Sequence, residues 1–245
     1  MMASTNEIMA RFMAMKPAHV IPCFKTVEEL MAFHRAEEKR ISQLVTDRNR
    51  QARMEKIIGR AGIQPLHREC SFGNYEVETP EQQHAVDAAK QYLQAFGQTY
   101  GGFIFSGNPG TGKNHLATAI ARNLMKRGKS VMIITVSELF EKFRQTYAKD
   151  SAVKETDLMR DVCKLDLLVL DEIGVQKGSE YEINLLTQII DRRQLQLRPT
   201  GMLTNKNYAE LVDLLRERIM DRQTNGGIWV PFSWQSYRVR KGGRV

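Results

Sequence analysis

A glycine-rich segment constrains this 245-residue chain more than any other feature. It reads GNPGTGK from Gly107 to Lys113, follows the apolar run Phe103–Phe105 and precedes HLATAIARNL, a pattern typical of a helix. Glycines let the backbone curl so that successive N–H groups point at one anion, and the positive end of the following helix adds to the attraction. A strand, a glycine loop ending in lysine and a helix, in this order, predict a phosphate-binding loop.

The alternative is a glycine-rich turn that binds nothing. The strand, the lysine and the helix together argue against it, and Lys113 is placed to reach the β and γ phosphates of a nucleotide. We therefore expect these residues to bind a nucleotide: Gly107, Asn108, Pro109, Gly110, Thr111, Gly112, Lys113, Asn114 and His115.

An acidic pair follows another apolar run, LLVLDE, at residues 167–172. At the end of a buried strand, Asp171 would hold Mg²⁺ directly or through water, and Glu172 would orient and deprotonate the attacking water. The alternative is a pair of carboxylates that only faces solvent. The phosphate loop upstream favours the catalytic interpretation.

A third polar group closes the next apolar run, MLTN, which ends in Thr204 and Asn205. In a parallel sheet this end would lie beside the two strand ends described above, where a polar side chain can hydrogen-bond the γ-phosphate or the lytic water. Because asparagine also favours turns, ordinary turn chemistry is the alternative. The position of Asn205 in the strand order favours a catalytic role.

The chain after residue 70 alternates helical patterns with short apolar runs, which predicts an α/β fold with a parallel sheet covered on both faces. We expect one helix to start near Thr79, another to be capped by Ser137, and a single helix to span 208–223. Before residue 70 the chain is charged and rich in helix formers, with apolar residues in loose helical spacing. This pattern predicts a long amphipathic helix or a pair of helices.

Composition narrows the range of partners. The formal net charge is +8, which suits nucleic acid, although an excess of solvated Lys and Arg is the alternative. The cysteines are Cys23, Cys70 and Cys163, too few and too far apart for a disulfide framework, so we expect a reducing, cytoplasmic setting. No apolar run approaches membrane-spanning length, which predicts that the protein has no membrane partner.

Several segments together resemble AAA+ ATPases of the initiator and helicase-loader clade, and most of all the DnaC-type helicase loaders. They are SGNPGTGKNHLA, LLVLDEIG, MLTN, LRERIMDR, WQSYRVR, CSFGNY and KPAHVIPCFKT. Related IstB-type transposition helpers share several of these motifs. The resemblance implies a P-loop NTPase fold with a parallel five-stranded sheet between helices. It also implies a small helical helicase-binding domain at 1–70 and an AAA+ ATPase domain at 71–245.

The resemblance also implies ATP and Mg²⁺ as the ligands of the site. Loaders carry Asn after the lysine, and an amide oxygen can ligate a hard cation or its water, so Asn114 joins Asp171 as a predicted metal contact. Arg222 is the expected finger that acts on the nucleotide of a neighbouring subunit, with Arg218 as its rival. Arg238 resembles a sensor arginine that touches the nucleotide. For all three arginines, a solvated basic surface is the alternative.

The partners implied by the resemblance are a replicative hexameric DNA helicase and single-stranded DNA. Tyr147, Ser179 and Tyr181 are the expected DNA contacts, and the protein itself is expected to assemble into a spiral, with six copies on the helicase. The nearest alternative is an ATP-dependent transposition helper that delivers a transposase to DNA. A small-molecule phosphotransferase and a nucleotide-binding adaptor without catalysis are two further alternatives.

Overall fold

The computed structural model describes residue 24 and residues 26–58, 67–148, 150–151, 153–174 and 179–237. The chain divides into two compact units, Met1–Thr46 and Asp47–Val245. The first described helix, α1 (Val27–Ile58), contains this division. The predicted domain boundary near residue 70 therefore stays a prediction. Among the described helices, none has the length and apolar character needed to cross a bilayer.

Helix α1 is a single helix within the described residues and carries acidic residues in its first turn, Glu28 and Glu29. The hydroxyl of Thr26 accepts a hydrogen bond from the Glu29 N–H at 3.1 Å, which satisfies one donor of that turn. The helix exposes a set of large apolar side chains between residues 31 and 45: Met31, Phe33, Ile41, Leu44 and Val45. The predicted amphipathic helix therefore carries an apolar surface that faces solvent.

The second unit contains a five-stranded sheet in which every pairing is parallel, in the order β2-β3-β4-β1-β5. The predicted α/β architecture is confirmed. The elements after α1 are α2 (Pro80–Ala95), β1 (Phe103–Gly107), α3 (Lys113–Lys126), β2 (Val131–Thr135), α4 (Val136–Gln145), α5 (Glu155–Lys164), β3 (Leu167–Ile173), α6 (Glu180–Leu195), β4 (Thr200–Thr204), α7 (Tyr208–Leu215), α8 (Glu217–Thr224) and β5 (Ile228–Phe232).

The register of the strands positions the predicted site. Ser106 of β1 pairs with Thr204 of β4, and β4 pairs in turn with β3, which carries Asp171 and Glu172. The carboxyl ends of β1, β3 and β4 therefore meet at one edge of the sheet. The strands are buried on both faces, and the two faces pack into separate apolar clusters, as a sheet covered by helices requires.

Helix starts agree with the sequence in one case and differ in another. Thr79 caps α2 by accepting the Gln82 N–H at 3.3 Å, as predicted. The prediction that Ser137 caps the next helix is wrong. Thr135, the last residue of β2, caps α4 by accepting the Glu138 N–H at 3.1 Å, while the Glu138 side chain returns to the Thr135 N–H. This reciprocal pair outcompetes Ser137, which lies inside the helix.

The prediction of one continuous helix over 208–223 is also wrong. Arg216 has a φ of 69° and separates α7 from α8. Side-chain patterns do not reveal such a break, because arginine rarely adopts a left-handed backbone. Helix α5, which packs Leu158 and Val162 into the core, was not predicted either.

Arg193 on α6 is fully buried and holds the amino-terminal edge of the sheet together. Its guanidinium donates to the carbonyls of Val162, Leu165 and Pro199 at 2.8, 3.0 and 2.6 Å, and to the Thr200 hydroxyl at 3.0 Å. Burial away from water lowers the pKa of Arg193 to about 9, so the group is still charged at neutral pH. One side chain thereby provides hydrogen bonds to the backbone carbonyls of the segments that precede β3 and β4.

We expect Arg193→Met to lower the free energy of unfolding by roughly 3 kcal/mol, because the carbonyls that the guanidinium serves lose their donor. Urea unfolding followed by circular dichroism measures this loss. The matched control is Arg192→Met, which removes the neighbouring and exposed arginine of the same helix and leaves stability unchanged. A loss of under about 1 kcal/mol in Arg193→Met would show that the carbonyls find other donors.

Candidate functional site

A cavity of about 500 Å³ opens at the edge of the sheet where β1, β3 and β4 end. Its walls come from four parts of the second unit: the loop between β1 and α3, the segment around Asn74 to Glu76, the ends of β3 and β4, and the residues that follow β5. Asp171, Glu172 and Asn205 all line it. The structure therefore brings the three predicted motifs around one space.

The backbone of the loop requires its glycines. Gly107 and Gly112 have φ values of 132° and 94°, and a Cβ at Gly107 would lie 2.2 Å from the Phe232 carbonyl oxygen. In the described part of the chain, the N–H groups from Gly110 to Asn114 have no protein acceptor. Helix α3 begins at Lys113, so its positive end coincides with these amides. Such a nest of donors is suited to the phosphates of a nucleotide.

Lys113 is the cation of the loop. Its Nζ donates to the carbonyls of Gly107 and Asn108 at 2.6 and 2.7 Å and to Asn205 Oδ1 at 2.9 Å. Burial lowers its pKa to about 8, and the charge of Asp171 opposes that shift only in part. The side chain is thus held beside the expected phosphate position by three neutral acceptors. Phosphate oxygens would add the negatively charged partners that these acceptors do not provide.

The two residues of the acidic pair have different surroundings. Asp171 accepts hydrogen bonds from Asn114 Nδ2 at 2.8 Å and from the Glu172 N–H at 2.7 Å. Glu172 is exposed and adopts a φ of 58°, which an L-residue rarely does without a reason. Asp171 is therefore fixed by two hydrogen bonds, while Glu172 is an exposed residue of the cavity wall.

Asn114 and Asp171 fit a magnesium ion that also binds nucleotide. No cluster of three or more His, Cys, Asp or Glu suited to a metal occurs among the described residues. Mg²⁺ commonly takes one or two carboxylates and completes its shell with water and substrate phosphates. The Asn114 side-chain N–H donates to Asp171 Oδ2, and the Asn114 side-chain oxygen could then contact the ion or its water.

Asn205 occupies the predicted place between the other two strand ends. Its side chain accepts from Lys113, and the preceding Thr204 hydroxyl donates to the Ile173 carbonyl at 2.7 Å. That bond ties the end of β4 to the end of β3. Asn205 is thus linked to both the phosphate loop and the acidic strand, and it can sense the γ-phosphate that would lie between them.

His115, which the sequence placed among the nucleotide contacts, lines the cavity but is engaged elsewhere. Its Nε2 lies 2.8 Å from the Ser71 carbonyl oxygen and 3.0 Å from Asn74 Oδ1. Because both neighbours are acceptors, this nitrogen carries the proton. His115 therefore fastens the segment before α2 to the start of α3.

Two aromatic residues of the site were missed by sequence reasoning. The Tyr75 hydroxyl and the Trp234 indole N–H both donate to the Thr111 carbonyl, each at 3.0 Å. They lie within CSFGNY and WQSYRVR, which carry the family resemblance. Nothing in the spacing of those segments places their side chains on the loop.

The predicted arginines and DNA contacts that the structure describes do not line the cavity. Arg222 forms an ion pair with Asp191 of α6, and Arg218 Nη2 lies 3.1 Å from the same carboxylate. The hydroxyls of Tyr147 and Tyr181 lie 3.0 Å apart on an exposed surface, while Ser179 caps α6. Arg238 lies outside the described residues.

The chain is similar to known proteins over almost its whole length. The family described as IstB-like ATP binding protein matches residues 12–243. The replicative helicase loader DnaC of Escherichia coli (strain K12) is 47% identical over 244 residues, which cover 99% of each chain.

Solved structures share the fold. The crystal structure of the DnaC helicase loader aligns with a TM-score of 0.63 at 21% identity, over 69% of this chain and 100% of the other. The replication initiator DnaA bound to AMPPCP and single-stranded DNA aligns with a TM-score of 0.60 at 22% identity, over 70% of this chain and 52% of the other. The predicted AAA+ ATPase fold is thereby confirmed. The chain belongs to the IstB-like ATP-binding proteins and to the DnaC family of replicative helicase loaders.

Proposed function

We propose that this protein is an ATP-dependent loader that binds the replicative DNA helicase, holds its ring open for loading onto single-stranded DNA and leaves on ATP hydrolysis. The observation that carries the proposal is the likeness to DnaC, which spans 99% of both chains and so includes the region before the ATPase fold as well as the ATP site. The cavity described above supplies the ATPase part.

Within the site, each residue has a proposed task. The amides from Gly110 to Asn114 bind the phosphates, and Lys113 neutralises the β and γ phosphates. Asp171, together with Asn114, holds Mg²⁺, which would offset the phosphate charge. Glu172 accepts the proton of the attacking water, and Asn205 orients that water or the γ-phosphate.

The arginines have proposed tasks between subunits and beside the nucleotide. Arg222 does not line the cavity of its own chain, so its guanidinium is available to the nucleotide of a neighbouring copy once it leaves Asp191. Arg218 is the rival for this role, since it reaches the same carboxylate. Arg238 is proposed as the sensor arginine. An arginine supplied by a neighbour would make hydrolysis slow in the lone subunit and faster in the assembly or with DNA.

The proposed partners follow the same division of the chain. Residues 1–70 would grip the hexameric helicase, for which the exposed apolar surface of α1 offers contact area. Residues 71–245 would form the spiral of ATPase domains, with six copies on the helicase. Tyr147 and Tyr181 present adjacent exposed rings on which bases can stack, and Ser179 precedes Tyr181 by two residues.

ATP affinity is expected to fall as the pH rises above about 8. Lys113 loses its proton with a pKa of about 8 in the free protein. Bound phosphates favour its charged form and raise that pKa, so binding above pH 8 takes up a proton. The dissociation constant then increases by up to about tenfold per pH unit.

Isothermal titration in buffers of different ionisation enthalpy measures both the affinity and the proton uptake. The stability of the ATP-free protein is expected to change with pH in the opposite direction, because the pKa of Lys113 is higher in the unfolded chain than in the folded protein. The contribution of Lys113 to stability therefore rises, and does not fall, as the pH increases through about 8. An ATP affinity that stays constant across this range would contradict the depressed pKa.

The proposed function is tested by mixing the full chain with the replicative helicase of its source, with and without ATP and single-stranded DNA, and weighing the complexes by native mass spectrometry. We expect a complex with the helicase, and faster ATP hydrolysis when DNA is present. The family match to IstB-like proteins makes a transposition helper the second candidate. A complex with a transposase and none with the helicase would establish that candidate and overturn the loader.

Two further results would each point to another class of protein. Hydrolysis stimulated by small metabolites and not by DNA would indicate a phosphotransferase. Binding of ATP without any hydrolysis, even with DNA and helicase present, would indicate a nucleotide-switched adaptor.

A further inference from the structure

The carbonyl of Thr111 lies between two hydrogen-bond donors that come from opposite ends of the second unit. The Tyr75 hydroxyl and the Trp234 indole N–H each approach it at 3.0 Å, from positions 36 residues before and 123 residues after it. Both side chains are half-buried, and both line the cavity. Hydrogen bonds from the Thr111 hydroxyl and from Lys113 reach the carbonyls of Gly107 and Asn108, whereas the Thr111 carbonyl is held by these two aromatic side chains.

The direction of this carbonyl decides where the next amide points. In a trans peptide unit the C=O of one residue and the N–H of the next point in opposite directions. Fixing the Thr111 carbonyl against Tyr75 and Trp234 therefore aims the Gly112 N–H at the other side, where no described residue accepts its hydrogen bond. A rotated peptide would instead turn the partially negative oxygen toward the phosphates.

The neighbouring peptide is held in the same way. The Tyr237 N–H donates to the Gly110 carbonyl at 2.9 Å, which fixes the direction of the Thr111 N–H. Packing adds to both restraints, since a Cβ at Gly112 would lie 2.6 Å from the Tyr75 ring and one at Gly110 would lie 2.1 Å from Ser236 Oγ. The segments before α2 and after β5 thus both pack against the loop.

We propose that Tyr75 and Trp234 are positioning residues for ATP: by fixing the Thr111 carbonyl they keep the Gly112 N–H turned toward the phosphates. This inference rests on the ATP binding of the proposed function. The segment after β5 is then part of the phosphate site. A change in that segment would alter ATP affinity through the Thr111 carbonyl.

The test removes each donor and keeps an aromatic ring at both positions. Tyr75→Phe and Trp234→Phe are each expected to weaken ATP binding by about tenfold or somewhat less, which is the range for a lost hydrogen bond. Adenosine, which has no phosphates, is expected to bind each variant as it binds the wild type. Titration calorimetry with ATP, and adenosine competition against it, provide the two affinities. Thermal unfolding without ligand checks that both variants fold.

The control is Trp229→Phe, which changes the only other tryptophan of the chain, in β5 against the Tyr208 ring. It is expected to bind ATP as the wild type does. In that variant Trp234 is the single tryptophan, and its emission is expected to change when ATP binds and to stay constant with adenosine.

The outcomes separate this inference from the proposed function. If the wild type binds ATP and both variants bind it equally well, the positioning role is wrong and the ATP site stands. Equal losses for ATP and adenosine would show that the two rings shape the base pocket and do not act through the loop. If the wild type binds no ATP under any ionic condition, the proposed function itself fails.

Discussion

Replacing Glu172 with Gln is expected to lower ATP hydrolysis by roughly 10²–10⁴-fold and to leave ATP binding intact, because a positioned general base contributes that range to the rate. Gln keeps the size of the side chain and can still orient water, but it cannot accept the proton. Among the described residues, the Glu172 side chain has no hydrogen bond to the loop, whereas Asp171 accepts hydrogen bonds from Asn114 and from the Glu172 backbone N–H. Binding and catalysis are therefore separable at this position.

A steady-state phosphate-release assay and an independent measurement of ATP affinity check this result. The matched control is Glu141→Gln, which changes an exposed carboxylate on α4 and should leave both quantities unchanged. In the presence of helicase and ATP, Glu172→Gln should accumulate the loader–helicase complex, because release is proposed to follow hydrolysis. Hydrolysis within about threefold of the wild type would show that another group takes the proton.

The fold and the three strand-end motifs could be predicted because each follows from local chemistry. Continuous apolar runs identify buried parallel strands, and polar residues at their carboxyl ends identify the side of the sheet that binds ligands. Asp171, Glu172 and Asn205 were therefore predictable before any contact was known. Their convergence depends only on the strand order, which places β4 between β3 and β1.

The parts that were not predictable depend on contacts between distant segments. Arg193 resembles any basic residue on a helix, and only the sheet around it shows that it satisfies carbonyls 28 and 31 residues away. Tyr75 and Trp234 act on the loop across 36 and 123 residues. The break between α7 and α8 depends on the positive φ of Arg216, which the identity of the residue does not predict. Each of these features depends on tertiary packing and not on the local sequence.

Lys113→Met is expected to reduce ATP affinity by roughly 10²-fold or more, because a cation at the phosphates is removed from a partly buried site. Met has a similar length and no charge. The free protein loses three hydrogen bonds but no longer desolvates an ammonium group, so its stability is expected to change little. Titration calorimetry with ATP and Mg²⁺ measures the loss.

The control for Lys113→Met is Lys126→Met, at the exposed end of the same helix, where ATP affinity should stay at its wild-type value. The pH profile provides the sharper discrimination. If Lys113 is the group with a pKa of about 8, its removal abolishes both the fall in ATP affinity above that pH and the uptake of a proton on binding. A variant that binds ATP weakly but keeps the wild-type pH profile would assign the titration to another residue, and one that binds ATP normally would remove Lys113 from the phosphate site.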